Sequence, residues 1–308
     1  MTVAFFTEAG TKRGYGHLVR SYTIYSYFKK MDCICTFFLD SDIDFKEQYP
    51  DIQAFSWASL NLEKKYDIIF IDSYEADINI YKKIAASSKH AVYIDDNRRL
   101  EYPKGTILNF SPDADTLLYK DKDILHNYLL GLDFIPIREI FKQTKVKKEE
   151  QIFVMLGGSD LNNLSMKILE SLENIKWKKV IVINNKEIAI SLEKLPNVKV
   201  LYHPNDKELS TEMAKSSIAI STASMGSYEL SYFSIPTIII SVAKNQEAGI
   251  KHMIKHKIAA YPLSINNKNW TNDIKEQIRK IQDKKHKITN QIDSQGSQRI
   301  FDYMKECI

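Results

Sequence analysis

The chain has 308 residues, 44% hydrophobic and 27% charged, so it can bury the cores of one or two globular domains, and its length favours two. Its formal net charge of +4 is spread over scattered lysines without a contiguous basic face or a nucleic-acid motif, so we expect no nucleic-acid partner. It also lacks the run of about 18 apolar residues that a membrane-spanning helix needs, so we expect no integral membrane contact.

The three cysteines, Cys33, Cys35 and Cys307, form neither a disulfide pattern nor a zinc pattern. Cys33 and Cys35 lie two residues apart on one face of a predicted strand, too close to bridge comfortably, and no second pair completes a zinc site. Free thiols are typical of a reducing compartment, and the amino terminus lacks the basic segment and cleavage site of a secretory leader. We therefore expect a cytoplasmic protein. The sequence leaves the oligomeric state open, and a monomer is our expectation.

Short apolar runs alternate with helical patterns through the first half of the chain. Runs rich in β-branched and aromatic residues predict strands at residues 3–6, 33–39, 68–71, 91–94 and 106–109. Short strands that alternate with helices imply a parallel sheet with helices on both faces. A charged segment without large apolar residues, 143–151, then predicts a linker.

The turn after the first strand carries the most distinctive residues of the sequence. It reads Arg13, Gly14, Tyr15, Gly16, His17, Leu18, Val19 and Arg20. Two glycines in a strand-to-helix turn allow the backbone to approach a ligand closely, and histidine exchanges protons near neutral pH. The combination indicates chemistry on a phosphorylated or nucleotide-linked substrate. The alternative is a glycine-rich loop beside an incidental histidine, because a short glycine pattern is a weak motif.

Acidic residues end two further predicted strands of the first half. Asp72 is followed by Ser73 and Tyr74, and Asp95 is followed by Asp96. Paired carboxylates can bind a metal ion, but no histidine or third carboxylate stands at a usable spacing, so we expect no metal site. The alternative role of Asp95 and Asp96 is to accept hydrogen bonds from loop N–H groups.

The alternation of strands and helices restarts in the second half. Strands are predicted at residues 152–156, 180–183, 198–201, 218–221 and 237–240, and a polar helical tail at 270–304. The sequence therefore predicts an α/β protein with two Rossmann-like, doubly wound domains, residues 1–145 and 146–308, the second with a closing C-terminal helix. Ligands of such sheets bind at the carboxyl ends of the strands.

Two turns of the second half have the composition of phosphate sites, and each follows a strand and opens a helix. The first contains Gly157, Gly158, Ser159 and Asp160, and the second contains Ser224, Met225 and Gly226. Small residues there expose backbone N–H groups at a helix N-terminus, which favours a diphosphate. The alternative is that their hydroxyl and carboxylate groups simply cap the helices.

Three more side chains of the second half are candidates for contacts with a nucleotide-sugar. Glu229 lies about one turn inside the helix that follows Ser224, where it can accept hydrogen bonds from two ribose hydroxyls or interact with the helix N-terminus. Asn245 and Gln246 follow the last predicted strand, and their amides suit sugar or base edges.

These motifs occur in a fixed order with several further blocks. The set comprises Gly14 to His17 with Arg20, Asp72 to Tyr74, Asp95 and Asp96, Gly131 with Ile137 to Phe141, Leu156 to Asp160 with Asn163 to Ser165, Ser224 to Glu229, Lys244 to Gln246, and Asp293 to Gly296 with Arg299. In this order and spacing the chain resembles the nucleotide-sugar hydrolases of pseudaminic acid biosynthesis, which act on UDP-2,4-diacetamido-2,4,6-trideoxy-β-L-altropyranose, and the related spore-coat polysaccharide proteins. The likeness spans nearly the whole chain.

The resemblance implies a glycosyltransferase-B-like fold and a bacterial enzyme of surface-glycan synthesis, such as flagellin glycosylation. It implies an inverting hydrolysis, without a metal or other cofactor, that releases UDP from a UDP-linked amino or deoxy sugar. His17 is then the general base for the attacking water, and Tyr74 lies near the sugar. The other residues implied in sugar contacts are Gly14, Tyr15, Gly16, Arg20, Asn245 and Gln246. The two phosphate turns and Glu229 would hold UDP.

Two other functions are compatible with the same residues. A glycosyltransferase of the same fold would use a sugar or lipid acceptor, and Tyr22, Tyr25 and Phe28 on the first predicted helix are candidates either for an acceptor-binding patch or for core packing. A non-catalytic nucleotide-sugar-binding protein would bind without turnover. The chain is also longer than we expect of the hydrolases and carries Ser294 where their usual residue is glycine, which leaves the identity of the sugar open.

Overall fold

The computed structural model of the chain contains two parallel β-sheets, and each is formed by a different set of strands. The structure describes residues 1–60, 62, 64–157, 163–242, 244, 246–284 and 292–308. The chain divides into a first unit, Met1–Ile137 with Ser294–Ile308, and a second unit, Arg138–Asp293. Of the helices in the described part of the chain, none combines the length and the apolar character that a bilayer-spanning segment needs.

Strands and helices alternate along both units. The strands are β1 (Thr2–Ala9), β2 (Ile34–Ser41), β3 (Ile52–Ala54), β4 (Tyr66–Asp72), β5 (Ser88–Ile94), β6 (Gly105–Asn109), β7 (His126–Leu130), β8 (Gln151–Met155), β9 (Lys178–Ile183), β10 (Val198–Tyr202), β11 (Ile218–Thr222), β12 (Thr237–Ser241) and β13 (Tyr261–Ser264). The α-helices are α1 (Gly16–Lys30), α2 (Ile78–Ala85), α3 (Ala114–Leu117), α4 (Glu139–Gln143), α5 (Leu164–Ser171), α6 (Lys186–Leu192), α7 (Asp206–Lys215), α8 (Met225–Tyr232), α9 (Gln246–Lys255), α10 (Trp270–Lys284) and α11 (Gly296–Glu306).

Both sheets are doubly wound. Over the described residues, the first has the strand order β3-β2-β1-β4-β5-β6-β7 and the second the order β10-β9-β8-β11-β12-β13. Neighbouring strands are parallel throughout both sheets. The order reverses between β1 and β4 in the first sheet and between β8 and β11 in the second. These are the switch points where the loops after the strands separate and leave a crevice for a ligand. The predicted pair of Rossmann-like sheets is confirmed.

Every predicted strand is present, and three edge strands were missed: β3, β7 and β13. The three-residue β3 is too short to give a periodic signal, and β13 contains Pro262, a residue that sheets tolerate mainly at their edges. The predicted helical tail is two helices, α10 and α11; residues 285–291 between them lie outside the described part.

The two sheets use different side chains in their cores. In the first unit aromatic rings stack across strands: Phe5 lies 4.5 Å from Phe70 and Phe6 lies 4.6 Å from Phe38, measured between ring centroids. The core of the second unit is mainly aliphatic, with Ile152, Ile220 and Ile238 among its fully buried residues. Both compositions suit strands that are covered on both faces.

Two of the three aromatic side chains proposed for an acceptor patch belong to the core of the first unit. Tyr25 and Phe28 are buried, and both contact the ring of Phe5 edge-on. Tyr22 is partly buried and packs against Phe37 and Tyr25. This packing corresponds to the alternative given above, in which these residues stabilise α1 against the sheet.

The C-terminal helix packs in the first unit, whereas the sequence prediction placed it in the second domain. Phe301 of α11 contacts Phe28 of α1, with ring centroids 5.1 Å apart. The unit boundary at Ile137 and Arg138 also lies before the predicted linker, and the chain returns to the first unit at Ser294. Ser294 has φ of +66°, a left-handed conformation that favours glycine, the residue usual at this position in the family that the chain resembles.

The return of the chain to the first unit at Ser294 leads to a prediction about stability. A Cβ at Gly296 would lie 2.1 Å from the carbonyl oxygen of Ile135, whereas a Cβ at Gly249 in the exposed part of α9 meets no atom within 4 Å. We expect Gly296→Ala to lower the free energy of unfolding by about 1–3 kcal/mol, because backbone must shift to make room. The control Gly249→Ala should be neutral or stabilising by up to about 1 kcal/mol. Urea unfolding followed by circular dichroism checks both, and equal effects of the two changes would contradict the close approach.

Candidate active site

The turn between β1 and α1 is shaped by glycines and brings His17 to the switch point of the first sheet. The backbone N–H of Gly14 donates to the carbonyl of Gly10 at 2.9 Å, which closes a short loop after β1. Gly14 has φ of +71°, a conformation in which glycine is the favoured residue. Helix α1 begins at Gly16, where a Cβ would meet open space, so His17 stands on the first turn of the helix.

His17 is hydrogen bonded to the carboxylate that ends β4. Its Nδ1 lies 2.6 Å from Oδ1 of Asp72, and both side chains are buried. Burial alone would raise the pKa of Asp72, but the charges of Arg20 and His17 outweigh it and hold that pKa well below its ordinary value. An ionised carboxylate only accepts hydrogen bonds, so Nδ1 is the donor. In the neutral ring Nε2 is then an acceptor, and among the described residues no hydrogen-bond partner faces it.

Arg20 joins Asp72 to a second carboxylate. Its Nε and Nη2 donate to the two oxygens of Asp72 at 2.7 and 2.6 Å, and its Nη1 and Nη2 donate to Asp96 at 2.8 and 2.9 Å. These bonds use at least four of the five guanidinium N–H groups. Ser21 adds a hydrogen bond to Asp72 at 3.0 Å. Arg20 therefore holds the acidic residues in place; its predicted contact with a sugar stays a prediction.

Tyr74 lies beside His17 at the rim of the same network. The two rings are edge to face with centroids 4.5 Å apart, and the hydroxyl of Tyr74 is 2.5 Å from Oδ2 of Asp96. Burial and the charge of Asp96 raise the pKa of Tyr74 far above its ordinary value, whereas Arg20 holds the pKa of Asp96 below its ordinary value against the effect of burial. Nearly half of Tyr74 is exposed, so this side chain can reach a ligand.

Glu8, at the end of β1, is a site residue that the sequence reasoning missed. It is 1% exposed and accepts hydrogen bonds from Trp57 Nε1 at 2.8 Å, from the backbone N–H of Tyr74 at 2.7 Å and from the hydroxyl of Ser73. A buried carboxylate needs such donors, and here they fix the loop that carries Tyr74. One signal was available in the sequence: Glu8 is the only charged residue in the segment that forms β1.

Asp95 has the loop-stabilising role that was considered for it. One oxygen accepts the backbone N–H of Arg98 at 2.6 Å, the other accepts the hydroxyl of Tyr102 at 2.8 Å, and Tyr119 also donates to it. Within the described residues, no group of three or more His, Cys, Asp or Glu side chains is arranged to hold a metal ion.

The turn after β11 stands at the switch point of the second sheet. Ser224 is the N-cap of α8, Met225 is its first residue, and the hydroxyl of Ser227 donates to the carbonyl of Thr222 at 2.9 Å. A Cβ at Gly226 would meet the end of the Met155 side chain at 1.9 Å, so the helix approaches β8 closely. The backbone conformation places the start of α8 beside the end of β8, as a ligand turn requires.

The turn after β8 is only partly described. Gly157 has φ of +86° and lies beside Thr222 of β11, so it borders the same switch point. The predicted phosphate-binding residues Gly158, Ser159 and Asp160 lie outside the described residues, as does Asn245.

Two of the predicted sugar-binding residues have contacts within their own units. Gln246 begins α9, and its side chain accepts the backbone N–H of Val242 at 3.0 Å. Tyr15 packs its ring edge-on against Phe45.

Glu229 is buried and forms an ion pair that the sequence did not indicate. Arg138 donates to its two oxygens from Nε and Nη2, each at 2.7 Å, and also donates from Nη1 to Asp206 at 2.6 Å. Burial raises the pKa of Glu229 above its ordinary value, although the charge of Arg138 opposes this shift. Carboxylate oxygens have further lone pairs, so the pair with Arg138 leaves the predicted ribose contact untested.

Solved structures of other proteins share the fold of this chain. No family model matches the chain. Solved structures match it over nearly its full length: Acinetobacter baumannii MurG with a TM-score of 0.65 at 10% identity, and the UDP-GlcNAc 2-epimerase of Methanocaldococcus jannaschii in complex with UDP-GlcNAc and UDP with a TM-score of 0.66 at 8% identity. Each alignment covers 99% of this chain and 100% of the other. The fold is therefore glycosyltransferase-B-like, as predicted.

The chain also has distant homologues in sequence. The chain is 23% identical over 277 residues to the spore coat polysaccharide biosynthesis protein SpsG of Bacillus subtilis, covering 82% of this chain and 80% of that protein. It is 24% identical to the UDP-2,4-diacetamido-2,4,6-trideoxy-β-L-altropyranose hydrolase of Campylobacter jejuni, over 72% of this chain and 86% of the hydrolase. It is 27% identical to a Helicobacter pylori protein that combines pseudaminic acid cytidylyltransferase with this hydrolase, over 80% of this chain but only 45% of that protein.

The buried ion pair of Arg20 leads to a prediction about stability. Replacing Arg20 by methionine leaves Asp72 charged and buried without its main partner, so we expect the free energy of unfolding to fall by about 3–5 kcal/mol. Arg13, which pairs with Asp40 and Glu75 at a more exposed site, is the matched control, and Arg13→Met should cost about 1 kcal/mol or less. Urea unfolding of both variants measures the difference; similar losses would contradict the role assigned to Arg20.

The same network predicts a pH dependence of stability. Because the pKa of Asp96 is lowered in the folded protein, its contribution is fully present above the ordinary carboxyl pKa of about 4 and is lost as the pH falls through the folded value. The free energy of unfolding of the wild type should therefore fall more steeply below about pH 4 than that of Asp96→Asn, which lacks this titrating group. Urea titrations at a series of pH values give the change of unfolding free energy with pH for both proteins. Equal changes would show that Asp96 does not contribute to this pH dependence.

Proposed function

We propose that the chain is an inverting hydrolase that releases UDP from a UDP-linked amino or deoxy sugar. The observation that carries this proposal is the pair formed by His17 and Asp72 at the switch point of the first sheet. A buried carboxylate that accepts from Nδ1 fixes the ring and its tautomer, and Nε2 faces away from the carboxylate as a proton acceptor. This is the arrangement that a general base for water needs.

The reaction follows from that arrangement. One proton of the water moves to Nε2 of His17 while the water oxygen bonds to the anomeric carbon of the sugar. The bond from that carbon to the diphosphate oxygen breaks, and its electron pair leaves with UDP. Because the water enters opposite the leaving group, the configuration at the anomeric carbon inverts. Asp72 stabilises the imidazolium that forms, and general-base help of this kind contributes typically about 10²- to 10⁴-fold.

The second unit is proposed to hold the nucleotide. The turn at Ser224, Met225 and Gly226 and the turn at Gly157 to Asp160 would surround the diphosphate with backbone N–H groups, which stabilise the charge that develops on the leaving group. Glu229 would accept the ribose hydroxyls, and Asn245 and Gln246 would contact the sugar or base. In the first unit, Gly14, Tyr15, Gly16 and Tyr74 would surround the sugar next to His17.

Support for the substrate comes from the homologues. Two of them carry the name of a UDP-2,4-diacetamido-2,4,6-trideoxy-β-L-altropyranose hydrolase, and the third is named for spore coat polysaccharide biosynthesis. We therefore propose pseudaminic acid synthesis or a related surface glycan as the setting of the reaction. A glycosyltransferase of the same fold is the alternative, and it would need an acceptor other than water.

His17 provides the test of this function. With UDP-2,4-diacetamido-2,4,6-trideoxy-β-L-altropyranose in buffer without an acceptor, the wild type should form free sugar and UDP. His17→Ala should lower kcat by about 10²- to 10⁴-fold, because the water loses its base. Its affinity for UDP should stay the same, since the proposed nucleotide contacts lie on the second unit. Chromatography of released UDP and calorimetry with UDP give the two quantities.

His256→Ala, directly after α9 in the second unit, is the histidine control and should retain wild-type turnover. Turnover of His17→Ala close to the wild-type rate would remove His17 as the base. If the wild type released UDP only after an acceptor sugar or lipid was added, the transferase alternative would replace the hydrolase. Binding of UDP with no turnover of this substrate under either condition would favour a binding protein.

A further inference from the structure

We propose that the positive charge of Arg20 lets His17 lose its proton at a lower pH than the carboxylates beside it would otherwise allow. The ring is then neutral and can accept a proton from the attacking water. This inference rests on the proposed hydrolase function, in which His17 is the base. Arg20 is a positioning residue in this reaction, because it acts on the base and not on the substrate.

The guanidinium of Arg20 lies against the imidazole of His17. Its Nη2 is 3.0 Å from Nδ1 of His17, and both side chains are buried. Arginine keeps its proton in proteins, so this charge is present at every pH of interest. Two positive charges at such a separation repel each other, and burial leaves little water to screen them. Arg20 therefore disfavours a positive charge on the ring.

Two carboxylates act in the opposite direction. Oδ1 of Asp72 is 2.6 Å from Nδ1 of His17. Oδ2 of Asp96 is 2.9 Å from Arg20 Nη2 and hence within about 6 Å of Nδ1, a range over which a charge shifts the ionisation of its neighbour. Although burial disfavours their charged forms, the charge of Arg20 holds the pKa of both carboxyls below the ordinary value. Both are therefore negative near neutral pH.

The balance of these charges makes opposite predictions for Arg20 and Asp96. In the wild type the ring faces two carboxylates and one guanidinium, which hydrogen bonds to both of them. Without Arg20 the ring would face two uncompensated negative charges and would hold its proton to a higher pH. Without the charge of Asp96 it would face one positive and one negative charge and would release its proton at a lower pH.

The remaining titratable groups on the neighbouring elements do not alter this comparison. Tyr74 contacts the ring of His17 edge to face, but burial and the charge of Asp96 raise its pKa far above the ordinary value, so it stays neutral. Glu8 at the end of β1 and Asp95 directly after β5 accept hydrogen bonds from other side chains and from loop N–H groups. No variant used below changes either of them.

The experiment uses the full-length protein and two readouts of the ionisation of His17. The pH profile of kcat/KM with UDP-2,4-diacetamido-2,4,6-trideoxy-β-L-altropyranose reports the base of the free enzyme. The ¹H–¹³C signal of the His17 ring, in protein with ¹³C-labelled histidine, reports the same ionisation without turnover, and its loss in His17→Ala assigns it. Asp96→Asn should move the midpoint of both curves to lower pH by about 0.5–1 unit.

Two changes at Arg20 separate its charge from its packing. Arg20→Met should move both midpoints to higher pH by about 1–2 units, whereas Arg20→Lys keeps the charge and should stay close to the wild-type midpoints.

Asp67→Asn is the matched control for the loss of one carboxylate. Asp67 lies near the start of β4, about 16 Å along the strand from Asp72, and pairs with the exposed Lys89. Salt screens a charge at that distance, so both midpoints should stay unchanged.

Unchanged midpoints in Asp96→Asn would overturn the inference, because asparagine keeps the shape of the side chain and the guanidinium stays in place. This comparison decides the question even if Arg20→Met is too unstable to fold. Shifts of Asp96→Asn and Arg20→Met in the same direction would overturn the inference as well. If the wild type released no UDP, the proposed function would fail, and the signal of His17 would still decide whether Arg20 sets its ionisation.

Discussion

The buried charge of Asp72 is the constraint on which the rest of the first unit's site depends. A carboxylate at 1% exposure requires compensating charge and hydrogen bonds, and Arg20, His17 and Ser21 of one helix supply them. This requirement fixes the rotation of α1 against β4 and thereby the direction in which His17 faces. The same arginine continues to Asp96 and so reaches the hydroxyl of Tyr74. Proton positions at the site are thus set by one ion pair and its immediate neighbours.

The parallel sheet explains why these residues meet. The carboxyl ends of β1 and β4 are adjacent at the switch point, so the turn after β1 and the last residue of β4 converge although they are far apart in the chain. The second sheet repeats the geometry with β8 and β11, where Gly157 and the start of α8 come together. Each unit therefore has a turn of small residues beside a carboxylate, Asp72 in the first and Glu229 in the second, and each carboxylate is held by an arginine.

The sequence was sufficient where the signal is local. The strands of both sheets other than β3, β7 and β13 were predicted, as were the glycine turn with His17 and the turn at Ser224, because apolar runs and glycine spacings lie within a few residues of each other. The partners of Arg20 could not be read in this way, since Asp72 and Asp96 lie 52 and 76 residues away and meet it only through the strand order. Glu8, Arg138 and the packing of α11 on α1 were missed for the same reason. The salt bridge between Arg138 and Glu229 joins residues that are 91 positions apart, so no periodic pattern in the sequence indicates it.

The proposed hydrolysis requires attack of water at the anomeric carbon rather than at phosphorus. The most direct measurement is turnover of UDP-2,4-diacetamido-2,4,6-trideoxy-β-L-altropyranose in H₂¹⁸O, with mass spectrometry of both products. We expect one ¹⁸O atom in the free sugar and none in UDP. Label in the diphosphate of UDP would mean that the bond from phosphorus to oxygen is broken, and it would contradict the role given to His17 and its carboxylate.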